Sequence, residues 1–432
     1  MISKRNLINS LFVLAWPAYG YGMYRAYTGV LSLGFVLCLT PFLIILLVHG
    51  IDLIYRTRTV SMVNRVYWIG MAYLISLAGA QWLAFARGFP GFNPTNTMMQ
   101  TIMFMVPFNA SIVVQIRNRD NDDFDFARML LTGIFLLIVI NLMGYATGLR
   151  NVIHGLDGRM NLPFLRGVYD AAHLMSIVNL ILLFRIKNFV GKPFTFMGLT
   201  GFYLLNMFVM IDVNSRLSFM MFLLLTLLFL FRIMKTLRFV FPISLFTMPL
   251  LMGSALIIYN ILTLPLFSAI VSRVDKDDVT TFNSRTYIWE EAWQWFLHDR
   301  RGFFFGNGYN GQYALGMMDR VALIWETDHA YNIHMHSTFL EVVMSQGVVG
   351  YVLFCTLVWF AFRYYRELYK RDTIEAPLFA AVVYLMFIWQ IDIFCYGLEM
   401  GNPLFFALLS SLAIDPKYIT RRQKALDGSF LT

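Results

Sequence analysis

Two short stretches hold the residue types best suited to chemistry. Asn283-Ser284-Arg285-Thr286-Tyr287-Ile288-Trp289 opens a long polar region, and His334-Met335-His336-Ser337-Thr338 closes it. Asn214-Ser215-Arg216 repeats the first tripeptide earlier in the chain. An Asn or Ser ahead of a helical pattern caps it, and the first free N–H groups then face the same way as the arginine. A positive helix end with a guanidinium fork is an anion site, because the fork meets a phosphate at two points. Arg159 and Arg166, in the polar loop before Arg216, add basic groups over such an anion. The competing reading is ion pairing of these arginines with Asp157, Asp170, Asp212 or Glu290, which would make them ordinary surface pairs.

His336 stands just ahead of Thr338-x-x-Glu341, which has the form of a capping box. A positive helix end disfavours the imidazolium, and a neutral imidazole accepts a proton from a hydroxyl such as a sugar's. His334 lies two residues upstream with Asp328 and His329 nearby, so a metal site is a second reading, although no third strong ligand follows at helical spacing. A helix-end histidine with no ligand is a third. His173 and His49, inside apolar runs, read as packing or interfacial residues. Gly306-Asn307-Gly308-Tyr309-Asn310-Gly311 is no nucleotide loop: it lacks the preceding strand, the lysine and a helix in register. It reads as a turn, either tight or bringing backbone up to a ligand. Tyr309 and Tyr313 are suited to stack on sugar rings, with an interfacial aromatic belt as the alternative. Tyr287, Ile288, Trp289, Ala292, Trp293 and Phe296 form an apolar stripe suited to a helix lying along a membrane surface.

The elements that carry these residues follow from composition. Of 432 residues 58% are hydrophobic and 14% charged, with mean hydropathy +0.62. Soluble proteins carry roughly a quarter charged residues, so this chain belongs in lipid. Crossing a bilayer as a helix takes about 20 apolar residues, and the short alternating strands of a membrane barrel are absent. Twelve spans are expected, at about 7–24, 29–53, 66–86, 96–116, 127–147, 169–186, 194–212, 216–234, 239–261, 338–362, 376–396 and 402–415. The first lacks a small-residue cleavage site and reads as an anchor. Cys38, Cys355 and Cys395 all sit in apolar runs and give no disulfide or zinc framework.

The net charge of +9 is explained by loops rather than by nucleic acid. With the N-terminus cytoplasmic, 22 of the 34 lysines and arginines fall on inner loops and tails, as the positive-inside rule requires. Both termini are then inside, and the loop 148–168, the turn 212–216 and the insert 262–337 face outward. The insert is rich in Trp, Tyr, Phe and Gly, which argues against disorder, and loops of this length are commonly functional. The expectation is a single polytopic domain over 1–432 whose extracytoplasmic loop 262–337 carries the active site.

Arg285-x-x-x-Trp289, then Gly306-Asn307-Gly308, then His336-Ser337 followed after nine residues by Gly347-Val348-Val349-Gly350, resembles the O-antigen ligase and polymerase superfamily of membrane glycosyltransferases. Ser215-Arg216 resembles that group's arginine turn, and the layout of twelve spans with a large outer loop before span ten is similar. Ser337 departs from the Asn commoner at that position. The resemblance implies an all-α polytopic fold of the GT-C-like kind and a periplasmic site at the inner membrane. It implies an inverting, metal-independent transfer, without cofactor, of a glycan from undecaprenyl diphosphate to a sugar hydroxyl. Carried over, Arg216 and Arg285 hold the diphosphate and His336 activates or orients the acceptor, with Arg159 matching more loosely. Arg166, His334, Trp289 and Tyr309 are the further substrate-binding candidates. The acceptor is a lipid A core in a ligase or a growing glycan in a polymerase. A lipid-linked glycan flippase is the alternative from another class; it needs charges within the bundle, where Asp392 is one of few, and no long insert.

Overall fold

In an apolar surrounding every backbone polar group must be satisfied within the chain, and helices do this segment by segment. The computed structural model describes residues 3–55, 62–89, 92–150, 159–237, 239–252, 285–324, 326 and 333–415, and these form helices with no strand among them. In order they are α1 (Lys4–Thr28), α2 (Leu31–Tyr55), α3 (Arg65–Ala86), α4 (Pro94–Arg117), α5 (Phe126–Ala146), α6 (Gly167–Ile186), α7 (Pro193–Val213), α8 (Arg216–Leu230), α9 (Ile233–Thr236) and α10 (Val240–Met252). The insert supplies four shorter helices, α11 (Arg285–His298), α12 (Arg300–Phe305), α13 (Gly311–Ala314) and α14 (Asp319–Ile324). The chain then returns to the bundle as α15 (Thr338–Lys370), α16 (Leu378–Ile388) and α17 (Gly401–Ser410).

Among the described residues seven helices, α2 to α7 and α15, are long and apolar enough to cross a membrane, while α8, α16 and α17 are apolar but shorter. The chain is thus an all-α polytopic membrane protein. The helices begin and end close to the expected spans except at four places, one of them the twelfth, which stops at Ser410 instead of 415. The tenth span runs on to Lys370 and is broken at Gly347, where φ is 68° and ψ −172°. The eleventh stops at Ile388, and residues 389–400 form an irregular, mostly buried stretch instead of the helix expected to 396. The ninth is described only to Met252, and the remainder of it lies outside the described residues.

α6 is the axis of the bundle: 83% of its apolar window is buried, against 22% for α7 at the rim. Lipid offers little hydrophobic drive between helices, so close packing at small residues holds them. Where α1 crosses α2, a Cβ on Gly34 would run into Ala26, and one on Gly22 into Cys38. At the end of the bundle away from the insert, Arg185 of α6 meets both carboxylate oxygens of Asp125, which also caps α5 through the Arg128 N–H at 2.9 Å. Asn64 donates to the Leu412 carbonyl at 2.7 Å and ties the two flanking loops there.

The insert has a core of its own. Ile288, Trp289, Ala292 and Trp295 recur at helical spacing on α11 and bury against Met317, Met318, Val321, Ile333 and Met335, with Leu340 and Met344 of α15 as the floor. Trp293 and Leu297, on the far side of α11, stay exposed. The insert is a small folded cap seated on the first half of α15.

Candidate active site

The segment 333–337 that enters α15 sets out the site. Ile333, Met335 and Ser337 are buried, and His334 and His336 alternate with them on the half-buried side. Met335, the residue between the histidines, is held at both of its backbone groups. The Trp289 indole donates to its carbonyl at 2.9 Å, and its N–H donates to a Glu341 carboxylate oxygen at 3.1 Å. The cap of α15 is Ser337, one residue before the expected Thr338: its hydroxyl accepts from the Leu340 N–H at 3.4 Å and donates to the Trp389 carbonyl at 3.1 Å. The Thr338 hydroxyl is drawn away to the Asp392 and Phe394 carbonyls at 3.0 and 3.2 Å. The helix start and the irregular stretch after α16 are thereby sewn together.

Arg285, the first residue of α11, donates to the Ile391 carbonyl. Trp289 lies one turn further on the same face, so α11 holds the 391–392 turn with one residue and the histidine segment with the other. His336 lies within the field of both Arg285 and Asp392. Burial and then the Arg285 charge push its imidazole down to about 4, with the Asp392 carboxylate opposing them. The His336 imidazole is therefore neutral at neutral pH. Its own backbone is in the left-handed region, φ 46°, a conformation that costs a non-glycine residue about 1–2 kcal/mol.

Asp392 is buried, and His173 of α6 lies 3.2 Å from its Oδ2 through Nε2. His173 Nδ1 sits 2.9 Å from both the Tyr384 and Ser218 hydroxyls. A carboxylate only accepts, so Nε2 carries a proton and donates it to Asp392. Ser218 lies in the first turn of α8, 3.0 Å from the hydroxyl of Ser215, the capping residue. This chain of contacts links the helix end bearing Arg216 to the carboxylate beside His336. His173 is accordingly a hydrogen-bonded hub, not the packing residue its apolar run suggested.

Arg216 is exposed, and among the described residues it makes no hydrogen bond or ion pair with the Arg285–His336 group. The Ser215 cap makes no side-chain bond to the α8 backbone. Asn283 and Ser284, the matching residues before Arg285, lie outside the described residues. Arg159 is also exposed, and the Met160 N–H next to it bonds the Asp212 carbonyl at 3.0 Å, which brings its segment against the α7–α8 turn.

Arg166 is placed differently. Its Nη2 donates to His334 Nε2 at 2.6 Å, and its Nη1 is 3.9 Å from the Glu399 carboxylate. Its backbone N–H bonds Asp170 at 3.0 Å. The guanidinium thus faces Glu399, which is not one of the partners expected from the sequence, while Asp170, which is, takes the backbone N–H. Burial and then the Arg166 charge drive the His334 imidazole well below its usual range. A cleft of about 220 Å³ opens beside this pair, lined by Arg166, His334, Tyr309 and Tyr313 with residues of α1, α2 and α4. Tyr309 packs against Phe104 and Tyr396 with ring centroids at 6.3 and 5.7 Å.

Residues 200–355 match the O-antigen ligase family.

The match covers roughly a third of the chain and supports the O-antigen ligase and polymerase superfamily, which implies a glycosyltransferase-like or ligase enzyme. No curated protein matches the sequence. The matched stretch includes Arg216, Arg285, Trp289, Tyr309, His334 and His336, and excludes Arg159, Arg166, His173 and Asp392.

Two expected roles within the O-antigen ligase stretch change. Trp289 is 1% exposed, so its ring offers no face to a sugar and instead fixes the histidine segment. The Gly306-Asn307-Gly308 turn brings backbone up to α15 and not to a ligand. The Asn307 and Gly308 N–H groups bond the Met344 and Ser345 carbonyls at 3.0 and 2.9 Å, the carbonyls freed by the break at Gly347. Arg87 and Asp299 satisfy the buried Asn307 amide at 2.9 and 3.3 Å. Of the metal reading, Asp328 and His329 lie outside the described residues, and among the described ones no three His, Cys, Asp or Glu converge. In the sequence His173 reads as a packing or interfacial residue and Asp392 as a charge within the bundle, neither as part of the site, although a carboxylate in a hydrophobic run is itself a signal.

Proposed function

We propose that the chain is a membrane glycosyltransferase that moves a glycan from undecaprenyl diphosphate to a sugar hydroxyl of lipid A core, as an O-antigen ligase does. One observation carries the reading: a neutral His336 between the Arg285 guanidinium and the Asp392 carboxylate, at the end of the bundle where the Arg216 helix begins. Arg128, Arg185, Lys187, Lys192, Arg232 and Lys235 line clefts at the opposite end, which the positive-inside rule assigns to the cytoplasm. The site then faces the periplasm, where no nucleotide is at hand and a diphosphate serves as a ready-made leaving group.

In this reading Arg285 and Arg216, with the N–H groups of the first turn of α8, hold the diphosphate. The acceptor oxygen attacks the anomeric carbon from the side opposite the diphosphate, and its proton passes to His336. The bond from that carbon to the phosphate oxygen breaks, its electron pair leaves with undecaprenyl diphosphate, and the anomeric configuration inverts. Negative charge grows on the leaving oxygen, where fixed guanidinium groups stabilise it most. Asp392 stabilises the imidazolium once formed. A guanidinium beside each histidine repels a metal cation, which supports a mechanism driven by arginines.

Product analysis tests this. Purified protein in lipid nanodiscs is given undecaprenyl-diphosphate-linked repeats with and without lipid A core. The expected product is core-linked glycan of inverted configuration, formed in EDTA and absent from Arg285→Ala. A ladder of longer lipid-linked chains without core makes the chain a polymerase. No covalent product in either tube sinks the transferase reading in favour of a transporter.

A further inference from the structure

We infer that the cleft beside His334 is a saccharide subsite that takes the acceptor's sugar ring and not the donor's phosphates. The acceptor role rests on the transferase reading above; the capacity to bind a sugar does not.

The first argument is charge. Arg166 is the one cation among the lining residues, and it already faces Glu399 at 3.9 Å and spends an N–H on His334. A guanidinium already engaged in this way is a poorer two-point anchor for a dianion but still has N–H groups to offer a neutral hydroxyl. Arg216 and Arg285, outside the cleft, have no carboxylate at ion-pair distance among the described residues. The surroundings of the two histidines are thus electrostatically unlike: the guanidinium beside His334 faces a carboxyl group, whereas the one beside His336 donates to a backbone carbonyl.

The second is the chemistry of the walls. Tyr27, Tyr309 and Tyr313 line the cleft with the side-chain amides of Gln100 and Asn310. Aromatic faces cover the C–H side of a sugar ring, and planar amides both give and accept hydrogen bonds at neighbouring hydroxyls. The Asn310 oxygen is buried with no hydrogen-bond partner among the described residues, although a buried acceptor left unsatisfied is costly. A volume of about 220 Å³ suits one ring and is small for a chain of sugars. Tyr27 is fixed by its hydroxyl, which donates to the Leu398 carbonyl at 3.1 Å. The Tyr309 phenol is pressed against Gly397, where a Cβ would run into its hydroxyl.

The third is reach. His334 on the cleft wall and His336 at the proposed base are two residues apart, a backbone span of at most about 7 Å. A ring lying against His334 can present a hydroxyl toward His336 while its other hydroxyls stay on the amides.

Direct binding separates this from the activity itself. The probes are methyl hexopyranosides and inorganic pyrophosphate, added to His336→Ala protein in nanodiscs and read by saturation-transfer NMR. We expect a sugar to bind at millimolar levels, with Gln100→Ala and Tyr313→Ala each weakening it about tenfold. Arg216→Ala should leave sugar binding unchanged, and pyrophosphate should not displace the sugar. With wild-type His336 and lipid-linked donor, Gln100→Ala should raise KM for the core acceptor with kcat and donor KM nearly constant. Displacement by pyrophosphate, indifference to both cleft variants, or no sugar bound at 100 mM overturns the subsite. Sugar bound in the cleft by a protein that transfers nothing leaves the subsite standing and removes the transferase reading.

Discussion

Arg166 has donors only, so its contact with His334 Nε2 leaves that imidazole neutral, protonated on Nδ1 and with its lone pair engaged. That removes His334 from the base role and leaves His336 as the proposed base. In the free protein it stays unprotonated down to about pH 4, and a general base acts in its unprotonated form. The acid limb of kcat/KM, which reports the free protein, should therefore lie near pH 4. Bound diphosphate places negative charge beside Arg285 and offsets the repulsion that depresses His336. The limb of kcat, which reports the complex, should accordingly sit at higher pH than the limb of kcat/KM. A pH–rate series on the reconstituted protein measures both. Coincident limbs at the ordinary imidazole value, or a limb that survives in His336→Gln, would remove His336 from the base role.

At the level of elements, the nine residues between His336-Ser337 and Gly347 have a physical length. They make a half-helix that starts at the Ser337 cap and breaks where Gly347 takes φ 68°. The break exposes the Met344 and Ser345 carbonyls, and the Gly306-Asn307-Gly308 turn fills them. A Cβ on Gly347 would strike the Phe304 backbone, and one on Gly306 the Ser345 carbonyl. Gly347→Ala should therefore unseat the cap, at a cost of at least about 1–2 kcal/mol from the left-handed conformation alone, and lower the Tm and the transfer rate together. Val349→Ala, two residues on and exposed, should do neither; equal loss in both variants would mean that the break is not the contact that matters. The spacing was visible in the sequence, and so were Arg285 and His336 as charged and titratable groups at an outer helix end. Hydropathy could not show that the chain leaves the helix after Ile388, because Trp389, Ile391, Phe394 and Tyr396 are as apolar as a span. The turn that delivers Asp392 stayed hidden for that reason. The capping position was misplaced by one residue because Ser337 and Thr338 are both good caps, and only the pull of the Asp392 carbonyl on Thr338 decides between them. Trp289 stands among the substrate-binding candidates in the sequence because a sequence does not tell which face of a helix meets its own cap.

At the level of the whole molecule, the bundle and the cap have separate apolar cores that meet along the first half of α15. Separate cores tend to open separately, with the smaller opening first. The cap holds the histidine segment by few bonds, the Trp289 indole to Met335 among them, whereas α6 is enclosed over 83% of its apolar window. Hydrogen exchange in nanodiscs should then show α11 to α14 exchanging well ahead of α6. Trp289→Phe keeps most of the ring volume and deletes one buried hydrogen bond, a loss of about 1 kcal/mol that corresponds to roughly fivefold faster opening. That acceleration should appear in α11, α14 and the segment 333–337 and be absent from α6, with transfer falling because the two histidines lose their fixed spacing. Faster exchange in α6 as well would show cap and bundle to be one cooperative unit. In that case the site would be held by the bundle as a whole rather than by the cap that the polar insert builds over it.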